Sequence, residues 1–493
     1  MRAALDHCCE QPPHEQWVPL FKIQVFFSCV SFSIIVPSLA NYLRRMGAEE
    51  WVLGVAVAVY SLGEMVGSAV FGKLMTKRLR EAPATGPRRC LLETMVFGVV
   101  GSILYVVADD VGQSPNLRNW APWVVVCVEI KILRHVVVVG RFLGGIWTGG
   151  KMVVEQTYVG VAAREDRVTP LTSEIGVYAV LGFVAGPSVG ALFAPLNLDY
   201  GRWRVDEFTA PGYFVGLLCV AMMVACYLTF NPSDGYAKPF QGHKLERRLS
   251  HSLASPSIGA SPRTNVVRRT TQRRPDAVGL AVCLGAFFAH FYSFAIQETI
   301  TTPFVTARYG WSQRRVDTLF AGVSVLSLVT SVLVAELSNR WSDYDLLVLS
   351  LVLGFAGSLV LLDPPLWPAQ LGEARFLAGF ALITVAFPFG RNVALATFSK
   401  VLGPCDQGEW MGLMFVVGAL PRCLGPSWSL YALQLACVLF PHPAPCPKGG
   451  RTCLEFGISA LIFGATLVTV GRTRRRLRPY DADDEGGERV GLV

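Results

Sequence analysis

Long apolar stretches, each about twenty residues and separated by short polar breaks, recur along the whole chain. A helix of that length crosses a bilayer, so the pattern predicts an all-α membrane protein. Twelve spans can be drawn, near 20–42, 51–74, 90–108, 137–160, 171–195, 211–230, 277–300, 316–338, 345–362, 375–400, 410–437 and 453–471. The stretch between the sixth and seventh is rich in Ser, Arg, Pro and Thr and poor in large apolar residues, which reads as a disordered linker. The expected organisation is a tail at 1–19, a six-helix half at 20–230, a basic linker at 231–276, a second six-helix half at 277–471 and a tail at 472–493. Residues 111–134 resist the scheme, because Trp120 to Ala163 is too long for one helix; they read as an insertion after span three.

Composition sharpens this picture. Hydrophobic residues make up 52% of the 493 and charged residues only 16%, with mean hydropathy +0.42. Soluble domains carry about 25% charge, so a single soluble core is excluded. The net charge of +8 does not point to nucleic acid. Lys and Arg concentrate after span two, in the linker and after span twelve, and these three segments share one side of a twelve-span protein. The positive-inside bias therefore puts both termini and the linker in the cytosol. No cleavable signal peptide is expected, since the first apolar run is too long for one. The 13 cysteines show no metal spacing, and most fall inside spans as small packing residues. Cys446 and Cys453 share one loop, placed in the lumen, where a disulfide is open to them.

The two halves look like a degenerate repeat. "GKLMTKR" follows span two and "AELSNRW" follows span eight; "GPSVG" lies in span five and "GPSWS" in span eleven. On these motifs the chain resembles the major facilitator superfamily, although the family's usual Asp is Thr76 in one loop motif and Asn339 in the other. "VYSLGEMVGSAVFG", "GRFLGGIWTGG", "DEFTAPGYF", "QETITTPFVTARYGWSQ" and "SKVLGPCDQGEWMGLMFVVGALPRCLGP" narrow the likeness to the lysosomal ceroid-lipofuscinosis type of major facilitator protein. They are also similar to the membrane part of fusions with a phosphate-sensing SPX domain. The resemblance implies twelve helices in two pseudo-repeat halves and a solute transporter of an endolysosomal or vacuolar membrane. A chloride conductance is attributed to the same type.

An ionisable side chain at bilayer depth usually faces a cavity or a partner. Span four carries Arg141, Lys151 and Glu155; positions 141, 145, 148, 152 and 155 fall within about 40° of one line at helical spacing. That face reads as a cavity wall for an anionic or zwitterionic solute, or as a structural ion pair. His290 and Gln297 share a face of span seven, and Arg391 and Asn392 follow Pro388, which is expected to kink span ten. All seven are candidate substrate-binding residues. Glu298 and Glu64 are the candidates for proton coupling; Pro303 is expected to end the helix after Glu298, and Thr301 and Thr302 lie one turn on. Gly186, Pro187, Arg422, Gly425 and Pro426 are read as gating or packing residues. Gly63 and Gly67 form a small-residue face for close helix contact.

The expected function is a proton-coupled secondary transporter working by alternating access on a small molecule or ion. An anion-conducting pore and a transport-inactive scaffold are the alternatives. No nucleophile, metal cluster or phosphate loop appears, so neither an enzyme nor a cofactor is expected. "ERVGLV" at the C-terminus approximates an acidic di-leucine signal, which makes a sorting adaptor a candidate partner beside substrate, protons and lipid.

Overall fold

A computed structural model describes residues 15–46, 50–113, 130–193, 195–200, 203–232, 276–364, 371–403, 406–439 and 450–477. Most of both tails and nearly all of the linker lie outside these residues. Span one is two helices, α1 (Val18–Ser33) and α2 (Val36–Arg45). Spans two to six are α3 (Glu50–Glu81), α4 (Gly86–Gln113), α5 (Ile130–Ala162), α6 (Glu165–Ala191) and α7 (Ala210–Thr229). Spans seven to twelve are α8 (Ala277–Tyr309), α9 (Gln313–Leu337), α10 (Asp343–Leu361), α11 (Glu373–Leu402), α12 (Gln407–Leu439) and α13 (Cys453–Arg472). Ten of the described helices are long and apolar enough to cross a membrane, and the bent α12 makes an eleventh. The apolar α1 is shorter and is completed by α2. This is the twelve-helix architecture in two halves.

One apolar core lies within α1–α7, and two others lie largely within α8–α13. Side chains such as Leu217, Leu228, Val438 and Leu461 remain exposed on the outside, as a lipid-facing surface requires.

Several sequence expectations need correcting. The "GKLMTKR" motif does not follow span two as a loop; it is helical, because α3 continues to Glu81. Residues 111–113 belong to α4 and 130–134 to α5, so the insertion shrinks to 114–129, outside the described residues. Pro303 does not end α8. The helix runs on to Tyr309 and stops at Gly310, whose φ of 67° is the left-handed conformation that glycine enters without a Cβ penalty. Pro388, expected to kink span ten and not to end it, lies inside the unbroken α11. Cys453 is a free thiol, so it makes no disulfide with Cys446; Cys437 is the disulfide-bonded cysteine, and its partner lies outside the described residues.

Two features position the halves. At the end carrying Val18 and Arg472, contacts across the halves are dense. Gly72 of α3 meets Gly408 and Gly412 of α12 so closely that a Cβ would enter backbone. Arg80 pairs with Asp406, and Thr169 donates to Asp343 at 2.8 Å. At the opposite end, a hairpin of β1 (Asn197–Tyr200) and β2 (Trp203–Asp206) joins α6 to α7. Asp206 there pairs with Arg45 at the tip of α2 and accepts the backbone N–H groups of Phe208 and Thr209, each at 3.0 Å. Burial alone would raise the Asp206 pKa, but the Arg45 hydrogen bond and the two amides outweigh it, and the carboxyl titrates below its ordinary value. A depressed carboxylate stabilises the fold at all pH above its unfolded pKa of about 3.9. That contribution is lost only as pH falls through the lower folded value. The clamp therefore holds in an acidic compartment.

Candidate functional site

The site begins with glycine. Gly63 and Gly67 of α3 face Phe142, Gly145 and Ile146 of α5, while Gly145 and Gly149 face Tyr60 and Glu64. At each of these positions a Cβ would enter the neighbouring backbone, so only glycine admits the contact. This close approach brings the polar side chains of the two helices together. Tyr60 and Thr148 share a hydrogen bond of 2.6 Å. The Arg141 guanidinium lies over the Tyr60 ring at 4.3 Å and over Phe32 at 5.4 Å.

Arg422 of α12 reaches across from the second half to Glu64, at 2.9 Å. It also lies over Phe32, at 5.8 Å, so this ring at the end of α1 has a guanidinium from each half beside it. Glu298 of α8 is exposed and without a hydrogen-bond or ion-pair partner among the described residues, yet it lies within electrostatic reach of Arg422. Thr301 is not its neighbour in chemistry, since that hydroxyl donates to the Gln297 carbonyl one turn back.

A second group of charges surrounds Cys29. Lys151 and Glu155 form a buried ion pair at 2.7 Å, with side chains 1% and 5% exposed. Arg391, partly exposed, donates to Asn392 at 2.9 Å. Asn392 packs over Gly176 of α6. Cys29 is within electrostatic reach of Lys151, Arg391 and Glu155.

The structure thus brings Arg141, Lys151, Glu155, Arg391, Asn392, Glu64, Glu298 and Arg422 toward one interior. It does not bring His290 there. That ring is buried between Gly390 and Phe463, with Nδ1 2.7 Å from the Ala286 carbonyl. Gln297 points into the second half, donating to the Phe380 carbonyl and to Thr384. Gly186 packs on Ser33 and Ile34 where span one breaks, while Pro187 is exposed. Gly425 packs on Ala295 of α8, and α12 bends by 55° between Gly425 and Trp428. Pro426 has no N–H for the Arg422 carbonyl, which explains a bend at that point.

Phe32 and Cys29 were missed in the sequence. A ring or a thiol at membrane depth has no signature that separates a cavity from lipid. Thr76 also acquires a role there was no reason to expect: its hydroxyl accepts the backbone N–H of Glu409 at 2.8 Å, in the first turn of α12. It acts as an N-cap supplied by another helix. Two recesses of about 10 and 40 Å³ lie within the first half. One water needs about 10–15 Å³, so neither recess is large enough for a metabolite.

Two helical halves, paired motifs and a charged interior define a membrane transport protein. The chain matches the Major Facilitator Superfamily over residues 23–426 and belongs to that family. It is 23% identical to the Xenopus laevis protein "Major facilitator superfamily domain-containing protein 8", over 93% of this chain and 91% of the relative. It is 21% identical to an "SPX domain-containing membrane protein" of Oryza sativa subsp. indica, over 71% of this chain and half (50%) of that protein. Among solved structures it resembles the proton:xylose symporter XylE, with TM-score 0.67, 16% identity and coverage of 94% of this chain and 96% of the other. The chain is a membrane transporter, and a small-molecule substrate is the partner its family implies.

Proposed function

We propose that the chain is a proton-coupled secondary transporter of a small solute that alternates access between its two halves. The observation that carries this reading is the Glu64–Arg422 ion pair, which joins the halves inside the membrane with the unpartnered Glu298 beside it. One guanidinium then serves two carboxylates on opposite sides of a moving interface. Protonating either carboxylate changes which partner Arg422 holds, and this couples a proton to the relative position of the halves. The dense contacts between the halves at one end suit a carrier better than a continuous anion-conducting pore. A scaffold without transport would show no flux at all.

Glu298→Gln tests the reading. A comparison of metabolites in vesicles with and without the protein first supplies the solute. The variant is expected to fold, to reach its membrane and to exchange that solute, but to lose the dependence of uptake on a pH gradient. Full retention of the pH response would move the coupling role to Glu64.

The resemblance to the lysosomal type supports an endolysosomal or vacuolar membrane. The concentration of Lys and Arg supports cytosolic termini and a cytosolic linker at 231–276 between halves at 20–230 and 277–471. In sealed vesicles the linker is expected to be cut by protease added on the cytosolic side. A protected linker would overturn the orientation.

A further inference from the structure

We infer that the transported solute is an organic anion whose carboxylate or phosphate group docks against Arg391. This rests on the transporter reading above and names the class of its substrate. The interior holds four cations, Arg141, Lys151, Arg391 and Arg422, and three carboxylates, Glu64, Glu155 and Glu298. Lys151 and Glu155 neutralise each other at 2.7 Å. Arg422 holds Glu64, which also lies within electrostatic reach of Arg141. Glu298 is within reach of Arg422. Arg391 has no carboxylate within reach among the described residues; its hydrogen bond goes to the neutral amide of Asn392, and the titratable groups near it are the Cys29 thiol and a second cation, Arg422. It is partly exposed, and its remaining donors have no hydrogen-bond partner among the described residues. The interior therefore carries one excess positive charge, and a proton taken up by Glu298 makes it two. An anion is the solute that such an interior attracts together with a proton.

The surroundings select an organic anion over a halide. Phe387 lies one turn before Arg391 on α11, and Phe294 lies one turn before Glu298 on α8. The two rings stack with centroids 4.2 Å apart, and both are partly exposed. An aromatic patch next to a guanidinium suits a solute with an apolar body and a planar oxyanion, which the guanidinium fork can hold with two parallel hydrogen bonds.

The test is the thermal unfolding midpoint of the purified full-length protein at constant ionic strength. The probes are benzoate, phenyl phosphate, benzamide, benzylammonium and chloride. Benzoate or phenyl phosphate is expected to raise the midpoint in a saturable way, while benzamide and benzylammonium leave it unchanged. Arg391→Gln is expected to weaken that anion's apparent affinity by about tenfold or more, as loss of a charged hydrogen-bond donor does. Equal stabilisation by benzamide or benzylammonium overturns the inference, as does full stabilisation by chloride or no response to either oxyanion. These comparisons use the unmodified protein, so they decide even if Arg391→Gln does not fold. Undiminished affinity in a folded Arg391→Gln protein also overturns it. The two readings fail separately. Solute uptake that still follows a pH gradient, without anion selectivity, removes only the anion. Selective anion binding without pH-driven uptake removes only the proton coupling.

Discussion

Replacing Lys151 with Met is expected to destabilise the protein by about 3–5 kcal/mol, the usual effect of removing one partner from a buried ion pair. Glu155 would then be left 4% exposed with no cation against it, and one of its oxygens already lacks a partner. A loss of this size is a large share of the roughly 5–15 kcal/mol that holds a typical domain together. Little of the variant should survive extraction as a monodisperse species. Adding Glu155→Gln to Lys151→Met should recover most of the loss, because the remaining side chain is neutral. Size-exclusion profiles after stepwise heating would measure both variants. If Lys151→Met melts with the parent protein, the pair is not ionic in the folded state.

The second large effect is expected at the glycine contact between α3 and α12. Gly412→Leu places a side chain where even a Cβ would meet the backbone of Ser68 and Gly72. Backbone cannot rotate aside as a side chain can, and overpacking of this kind costs about 1–3 kcal/mol. The strain applies only while this end is closed, so the equilibrium between closed and open should shift by about 5- to 150-fold. A cysteine at Thr76, a buried position beside the contact, reports the change. It should react slowly with a membrane-impermeant maleimide in the parent background and much faster with Gly412→Leu. Unchanged labelling in a folded variant would mean that the two helices do not part at this end.

Much of the site was legible because a charge in an apolar run is conspicuous. Arg141, Lys151, Glu155, Glu64, Glu298 and Arg391 all stand out on that ground alone, and helical spacing makes Lys151 and Glu155 neighbours. Long-range pairings were not legible. Arg422 and Glu64 are 358 positions apart, and nothing local to either residue names the other. Arg422 therefore looked like a residue beside a Pro–Gly break. His290 and Gln297 stood out for the same reason as the charges. Polar side chains can also be satisfied inside one half, by Ala286, Phe380 and Thr384 in this case, and composition does not tell the two situations apart. Pro303 misled. It would break a helix in water, but in a membrane bundle neighbouring helices protect the freed carbonyl and the helix continues. The small-residue faces were the most faithful signal, since Gly63 and Gly67 lie where their spacing put them.

The Arg45–Asp206 clamp ties the tip of span one to the hairpin between spans five and six. Span one carries Phe32 and Cys29 and also contains the break on which Gly186 rests. A broken helix would normally let its outer segment drift independently, but the clamp makes that segment move with the hairpin. The hairpin is therefore a natural handle on the first half. An antibody fragment or a spectroscopic label fixed to it would report the position of the whole half rather than the motion of a loop.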